Sequence, residues 1–309
     1  MSLAAMSESG KNHVVVGLGE VLWDVYREGR FLGGTPANFA VHIAQLGDHG
    51  VLVSRVGDDS MGRELLAELR QRRVSGEYVQ VDRLHGTGTV RVTVDIQGIP
   101  SYSCSKDVAL DYVERVPAHQ PLALSADAVL FTTLGQRSSA ARHTIQHFLR
   151  TATQAVKILD VNVPLGKSDQ RQVLTESLNL ATILKVNRAG LDSLRLALRP
   201  REAETKRFID ALFKKFSLRV IAVTLGENGC ELYDPDHHIK VDGLPVRVLD
   251  ANGAGDAFTA GLVHQFLRGA PLREMAEYAN LLGAFVCTST GATPLFSPAT
   301  IEGFRDSLS

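Results

Sequence analysis

This 309-residue chain has few of the cysteines that stabilise small secreted proteins and no excess of the positive charge that binds nucleic acid. It has three cysteines, one tryptophan and a formal net charge of −1 at pH 7. Cys104, Cys230 and Cys287 are too widely spaced for a zinc cluster, and so low a count is typical of a reducing cytosol. The near-zero charge gives no basic field for nucleic acid or an acidic membrane surface, so neither is expected as a partner.

Long apolar runs are also missing. No stretch of about 18 apolar residues occurs, and residues 1–13 lack the apolar core of a signal peptide. We therefore expect no membrane span and a cytoplasmic location. Hydrophobic residues make up 44% and charged residues 22% of the chain, as in ordinary globular proteins. Because no Pro/Ser-rich linker interrupts the sequence, we expect a single domain over residues 12–309.

Short β-branched runs alternate with helical patterns along most of the chain. The predicted strands are Val14–Leu18, Val51–Val56, Ala128–Thr132, Val156–Asp160, Thr182–Val186 and Arg219–Thr224, with an antiparallel addition at Glu231–Tyr233 and Ile239–Val241. The clearest predicted helices are Pro36–Leu46, Ser60–Arg73, Gly255–Arg268 and Leu272–Ser289. Such alternation predicts an α/β fold, a three-layer α/β/α sandwich with a mostly parallel central sheet.

One region has a different pattern. Thr87–Ile96 alternates polar and apolar residues, and Gln97–Pro100 separates it from Ser101–Ser105, which predicts an antiparallel hairpin. We expect this hairpin to belong to a small β lid, inserted in the core from about residues 20–32 and 87–105.

Three familiar motifs fail when their spacing is checked. Gly17-Leu18-Gly19 follows a strand, but position 22, where a dinucleotide fingerprint needs its third glycine, is Leu22. Gly166-Lys167-Ser168 resembles the end of a Walker A loop, but position 161, where that loop begins with glycine, is Val161. No GxSxG occurs, so the α/β-hydrolase nucleophile is excluded.

Two glycine-rich segments remain, each just ahead of a predicted helix. Gly33-Gly34-Thr35-Pro36-Ala37-Asn38 lets the backbone approach a ligand and fixes the direction of Asn38, although by itself a tight turn with an N-cap is the simpler explanation. In Asp250-Ala251-Asn252-Gly253-Ala254-Gly255-Asp256, small residues leave N–H groups at a helix start, which favours anion binding. A carboxylate beside such an anion hole suits phosphoryl transfer, because it can take the proton of the attacking hydroxyl.

Together these segments resemble the two signatures of the ribokinase-like (PfkB) sugar kinases. Gly33-Gly34-x-Pro36-x-Asn38-x-Ala40 is similar to the first signature, and the second segment is similar to the family's D-T-x-G-A-G-D. The resemblance covers the chain from Val14 to about Pro294. It implies ATP-dependent phosphorylation of a small sugar, with fructokinases as the most similar members and fructose 6-phosphate as the product.

The resemblance also implies roles for individual residues. The implied catalytic group is the base Asp256 with the anion hole Gly253, Ala254 and Gly255. The implied substrate ligands are Asp24, Gly33, Gly34, Asn38 and Asp256, and the implied nucleotide-binding residues are Asn187, Thr224, Gly226, Gly229 and Gly255. ATP and Mg²⁺ are the implied cofactors, and Asp250, Asn252 and Gly291 resemble a monovalent-cation site that leaves K⁺ open as a third.

Some positions depart from the family's pattern. Gly190 stands where the N-x-x-E motif has its glutamate, Ala251 replaces a threonine, and Leu295 stands where some relatives have a polar side chain near the cation. Asp160-x-Asn162 resembles fructokinases, but the arginine expected shortly afterwards is absent. Another ketose, a sugar acid, a pentose or a nucleoside therefore stays open as the substrate, as does a sugar-binding relative that has lost turnover.

The lid also bears on assembly. The predicted hairpin is too short to be a stable sheet alone, so its apolar face needs a partner. Lids of related kinases often pair between subunits, so the resemblance implies a homodimer through the lid.

Overall fold

Two sheets and ten α-helices make up the described part of the chain, which in this computed structural model comprises residues 12–27, 29–94, 100–161, 170–198 and 204–308. The strands are β1 (Val14–Leu18), β2 (Leu22–Val25), β3 (Arg30–Gly33), β4 (His49–Gly57), β5 (Val79–Asp82), β6 (Thr89–Val94), β7 (Pro100–Cys104), β8 (Ala128–Thr132), β9 (Val156–Asp160), β10 (Ile183–Asn187), β11 (Val220–Thr224), β12 (Cys230–Tyr233) and β13 (His238–Val241). The helices are α1 (Thr35–Gln45), α2 (Ser60–Gln71), α3 (His119–Ser125), α4 (Ser139–Thr151), α5 (Gln170–Leu180), α6 (Arg188–Leu198), α7 (Thr205–Lys215), α8 (Ala254–Leu267), α9 (Leu272–Cys287) and α10 (Pro298–Ser307). Within these ranges, none of the helices has both the length and the apolar character that a membrane span requires.

The larger sheet has nine strands in the order β13-β12-β11-β10-β9-β8-β1-β4-β5. The seven strands from β11 to β5 run parallel, and β12 and β13 extend the sheet as antiparallel neighbours. Parallel neighbours need crossover connections, which the intervening helices supply. The parallel strands therefore end at one common edge, where the loops that follow them come together.

Helices cover both faces of this sheet because strand side chains alternate between two cores. In β8, Val129 and Phe131 lie in the core formed with α3 to α7, whereas Ala128 and Leu130 lie in the core formed with α1, α8, α9 and α10. All four side chains are fully buried. This arrangement confirms the predicted three-layer α/β/α sandwich, and a strand buried on both faces explains why β8 is a continuous apolar run.

Three strands were not predicted individually. β2, β3 and β5 have four residues each, too few for a period-two pattern to stand out in the sequence. β5 pairs with β4 at the edge of the larger sheet. The other two strands belong to the smaller sheet, in the part of the chain where only short contributions were expected.

The smaller sheet, here called the lid, has the order β3-β2-β6-β7. Strand β2 pairs antiparallel with β3 and parallel with β6, and β6 pairs antiparallel with β7 as the hairpin pattern predicted. Trp23 and Leu32 of the lid pack against α1 and α2, and the Trp23 indole N–H donates to the Met61 carbonyl at 3.0 Å. The side chains of residues 92–102 lie outside the described part of the chain.

Arg137 fastens the β7 side of the lid to the body of the protein. Its guanidinium forms a two-point ion pair with Asp111, with N···O distances of 2.6 and 2.8 Å. The same group donates to the Cys104 sulfur and the Ser105 carbonyl, each at 2.8 Å. The lid is therefore attached at both ends, through a hydrophobic contact on one side and a charged contact on the other.

A glycine in strand β1 sets how closely α1 approaches the sheet. A Cβ on Gly17 would lie 2.1 Å from the Pro36 carbonyl oxygen in the first turn of α1. We expect Gly17→Ala to lower the free energy of unfolding by about 1–3 kcal/mol, because rigid backbone would have to move. Gly303→Ala is the matched control, since position 303 is exposed in α10 with nothing within 4 Å, and should be neutral or slightly stabilising. Urea denaturation of the two variants measures the difference, and equal midpoints would contradict this packing role.

Candidate functional site

The two glycine-rich segments, far apart in the sequence, meet at the starts of α1 and α8. The Asn38 side-chain amide donates to Asp256 Oδ2 at 2.8 Å across 218 residues of sequence. Both side chains are buried. Asn38 Oδ1 is also buried and has no hydrogen-bond partner among the described residues, so it can accept a bond from a ligand hydroxyl.

The backbone of the second segment is shaped by Gly253, the residue before α8. Its φ of 77° is left-handed, and a Cβ there would lie 2.4 Å from the Ala292 carbonyl oxygen. The chain can therefore turn sharply into α8, which places Asp256 in the first helical turn. Of the N–H groups predicted to form an anion hole, that of Ala254 already has a long bond to the Ala251 carbonyl at 3.4 Å. Gly253 and Gly255 are the better placed of the three for an anion.

A second contact joins the lid to the same segment. The Asn252 side-chain amide donates to Asp24 Oδ2 at 2.9 Å, which links strand β2 to the loop before α8. Gly33 lies directly against this carboxylate, since a Cβ at position 33 would come within 2.5 Å of Asp24 Oδ2. Gly34 accepts the backbone N–H of Asn38. The structure thus brings together the residues predicted as substrate ligands, which are Asp24, Gly33, Gly34, Asn38 and Asp256.

A buried ion pair lies beside this cluster, and sequence reasoning did not predict it. Lys185 Nζ of β10 lies 2.9 Å from Asp160 Oδ2 at the end of β9, and the two residues are direct partners in the parallel ladder. A Cβ on Gly255 would lie 2.9 Å from the same Nζ, so the ammonium touches the first turn of α8. The only sequence signal for it is one charged residue among the apolar residues Ile183, Leu184 and Val186 of β10.

Burial shifts the pKa of three carboxyl groups in this region towards neutrality. Burial raises the pKa of Asp256 to about 7, although the Lys185 charge and the Asn38 hydrogen bond oppose it. Burial also raises the pKa of Glu20 to about 7, against the hydrogen bonds of the Thr132 hydroxyl, and that of Asp24 to about 6, against the Asn252 amide. Glu20 was not predicted as part of the site. A carboxyl group with a pKa near 7 is well matched to proton transfer at neutral pH.

The predicted nucleotide-binding residues lie at the next strand ends. Asn187 ends β10 and Thr224 ends β11, and the two are register partners; Gly226 and Gly229 bound the turn that follows β11. A cavity of about 340 Å³ opens beside them, lined by Arg188, Leu225, Asn228, Glu231 and Lys240. The two cationic side chains make this cavity suitable for an anionic ligand. Gly255, the remaining predicted residue, lies in α8.

The Asn187 side chain bonds to the backbone of α6. Its Oδ1 accepts the Gly190 N–H at 2.6 Å. A Cβ at position 190 would lie 3.1 Å from that oxygen, so the glycine found in place of the family's glutamate allows this close contact. Asp192, a carboxylate two residues further along α6, is exposed.

The residues predicted to bind a monovalent cation lie together, and hydrogen bonds join them to one another. Asp250 Oδ1 accepts the Asn252 N–H at 2.9 Å, and Oδ2 accepts the Gly291 N–H at 3.0 Å. Among the described residues, no group of three or more His, Cys, Asp or Glu side chains could hold a metal ion. The donor set therefore does not fit a divalent ion held by protein carboxylates. Mg²⁺ is commonly bound through substrate phosphates and water, and a nucleotide would bring it in that form.

Comparison with known proteins gives a consistent result. The model of the family described as pfkB family carbohydrate kinase matches residues 3–299. A probable fructokinase-2 of Arabidopsis thaliana is 29% identical to this chain, over 93% of this chain and 94% of its own.

Solved structures share the fold. A fructokinase of Xylella fastidiosa with bound ATP has a TM-score of 0.83 at 22% identity, covering 96% of this chain and 99% of that chain. A fructokinase double mutant of Vibrio cholerae, in a form with bound fructose, ADP and potassium ion, has a TM-score of 0.80 at 21% identity, with the same coverage. At such identities the likeness shows the fold alone.

The buried carboxyl group of Glu20 should make stability depend on pH. Its pKa of about 7 in the folded protein exceeds the ordinary value of 4.5, so its stabilising contribution is complete below about pH 4.5 and is lost as the pH rises through about 7. We expect wild-type protein to lose up to about 3 kcal/mol of unfolding free energy relative to Glu20→Gln over that window. Urea denaturation across the window measures this, with Glu302→Gln on exposed α10 as control. Parallel stability curves for wild type and Glu20→Gln would contradict it.

Proposed function

Since the chain belongs to the pfkB family of carbohydrate kinases, which transfer phosphate from ATP to sugars, we propose that it converts fructose to fructose 6-phosphate with Asp256 as the general base. The observation that carries this proposal is the Asn38–Asp256 contact. It places a buried carboxylate, with a raised pKa, beside an unpartnered amide oxygen at the start of α8. Fructose is favoured because the curated relative and both solved structures compared above are named fructokinases.

The proposed reaction uses the side chains in a defined order. Asp24 and Asn38 hold sugar hydroxyls and direct one of them at Asp256, whose carboxylate takes the hydroxyl proton. The sugar oxygen then forms a bond to the γ-phosphorus of ATP, and the bond from that phosphorus to its bridging oxygen breaks. ADP leaves with the electron pair, while the N–H groups of Gly253 and Gly255 bind the charge on the transferring group.

The nucleotide half of the proposal rests on the neighbouring cavity. Asn187, Thr224, Gly226 and Gly229 lie beside it, and Arg188 and Lys240 supply positive charge for phosphates. ATP would bring Mg²⁺ with its phosphates. A K⁺ site at Asp250, Asn252 and Gly291 is part of the proposal, supported by the potassium ion in the Vibrio fructokinase structure. We also propose a cytoplasmic location. It is supported by the three cysteines, which form no disulfide: Cys104, Cys230 and Cys287.

A coupled assay of ADP release, with ATP and Mg²⁺ and a panel of sugars, tests the substrate. We expect fructose to give the highest kcat/KM. A higher value for another ketose, a sugar acid, a pentose or a nucleoside would replace fructose and keep the kinase. Sugar binding without ADP release would instead favour a relative that has lost turnover.

Replacing the base should separate chemistry from binding. We expect Asp256→Asn to lower kcat by about 10²–10⁴-fold, the usual contribution of a general base, with little change in folding because asparagine can still accept the Asn38 amide. Steady-state kinetics and thermal unfolding measure the two effects. Asp306→Asn, on the exposed face of α10, is the control and should behave as wild type. A kcat near wild type in Asp256→Asn would exclude this residue as the base.

Substitutions of Asp24 and Asn38 should change the KM for the sugar more than the KM for ATP. We expect Asp24→Ala and Asn38→Ala each to raise the KM for fructose by about tenfold or more and the KM for ATP by much less, because each removes hydrogen bonds to hydroxyls. Lys240→Met, in the wall of the proposed nucleotide cavity, should raise the KM for ATP preferentially, and so provides the matched control. The reverse pattern would show that Asp24 and Asn38 line the nucleotide half.

We also propose that the chain forms a homodimer through the lid. Among the described residues, strands β3 and β7 form the two edges of the lid, and edge strands favour pairing with a second copy. We expect light scattering at micromolar concentration to give twice the chain mass. Alternate residues of β6 face opposite ways, so charged substitutions should abolish the dimer at either Val92 and Val94 or Arg91 and Thr93, but not at both pairs. A fully active wild-type monomer would exclude the dimer.

A further inference from the structure

The buried ammonium of Lys185 lies at the start of α8, close to the proposed base Asp256. The Lys185 side chain is 9% exposed, and among the described residues no other lysine is buried. Its Nζ lies against Gly255 in the first turn of α8, the end of a helix that carries partial positive charge. The Lys185 charge also lowers the pKa of Asp256, so the ammonium lies near two carboxylates, those of Asp160 and Asp256. The ammonium and the helix start are two positive features at one point, where an anionic ligand can bind beside these carboxylates.

Asp160 offsets only part of this positive charge. It accepts one bond from the ammonium, at 2.9 Å, whereas a lysine ammonium has three N–H donors. Lysines are rarely buried unless paired, and Asp160 provides that pair. Its position as the direct ladder partner of Lys185 fixes the ammonium on the side of the sheet that faces α8. Donors remain for a ligand at the start of that helix.

We propose that Lys185, oriented by Asp160, binds the γ-phosphoryl group of ATP as it passes to the sugar hydroxyl at Asp256. This inference rests on the proposed function and adds a catalytic cation to it. The charge on the transferring oxygens is then shared between the ammonium and the N–H groups of Gly253 and Gly255. A protein cation is important here because the described carboxylates do not form a metal site. Gly255 allows this close approach, since a Cβ there would lie 2.9 Å from the ammonium and displace it.

Comparing the affinity for the non-hydrolysable ATP analogue AMP-PNP with the affinity for ADP, each with Mg²⁺, isolates the contribution of the γ-phosphate to binding. By isothermal titration calorimetry we expect Lys185→Met to weaken AMP-PNP about tenfold or more while ADP affinity changes less than about twofold. Lys157→Met, on the neighbouring strand β9, is the matched control and should leave both affinities unchanged. If Lys185→Met lowers the affinities for AMP-PNP and ADP equally, or lowers neither, Lys185 does not bind the γ-phosphate and the inference fails.

A double variant separates catalysis from a purely structural ion pair. Lys185→Met alone leaves Asp160 buried without its counter-ion and should lower the thermal midpoint. Lys185→Met/Asp160→Asn removes both charges at nearly constant volume, and we expect it to recover the midpoint while kcat stays about 10²–10³-fold below wild type. Recovery of kcat to within about fivefold of wild type would show that the pair is only structural and overturn the inference.

The two proposals fail in different ways. If wild-type protein phosphorylates no sugar of the panel but Lys185→Met still lowers the affinity for AMP-PNP more than that for ADP, the sugar assignment is wrong and the role of Lys185 stands. If sugar is phosphorylated normally and the AMP-PNP effect is missing, the kinase assignment stands and Lys185 is excluded.

Discussion

Removal of a carboxylate from water is the constraint on which the rest of this site depends. Asp256 is buried, and an ionised carboxylate without solvent is costly unless other groups replace the lost hydration. Here the Asn38 amide, the Lys185 charge and the start of α8 replace part of it. The remaining deficit keeps the pKa near 7, so the group holds its proton weakly enough to release it and strongly enough to take it.

The topology of the larger sheet makes this arrangement possible. Because β1, β9 and β10 run parallel, Glu20, Asp160 and Asn187 reach the same edge although more than 160 residues separate the first from the last. The starts of α1 and α8 lie at that edge and contribute amide and carboxylate groups. The carboxylates of Asp160 and Asp256, which would repel each other in isolation, thereby lie near the single cation Lys185. The electrostatics of the site therefore depend on the register of the strands.

The sequence predicted the parts of this protein that depend on local pattern. Strands such as Ala128–Thr132 and Val156–Asp160 are correct to the residue because they are short, apolar and bounded by helical segments. Asn38 and Asp256 were assigned to one substrate site by the resemblance of two glycine-rich segments to sugar kinases, but the hydrogen bond between them was not predicted. Lys185 and Glu20 could not be found in this way, because a single charged residue becomes meaningful only when the fold shows what buries it. The glycine at 190, first seen as a departure, has a local steric reason in its contact with Asn187.

In the proposed sugar site, the hydrogen bond between Asp24 and Asn252 would make sugar binding an exchange of hydrogen-bond partners. A hydroxyl that approaches Asp24 competes with an amide that already satisfies it, so its net contribution is the difference between two hydrogen bonds and not the whole of one. Weak binders with few hydroxyls gain too little to displace the amide, whereas a ligand that engages Asp24 and Asn38 together compensates for the loss. The released amide belongs to the loop that leads into α8. In the proposed mechanism, a sugar bound at Asp24 would therefore free an amide beside the helix start where phosphate would bind, and Asn252 would couple the binding of the two substrates.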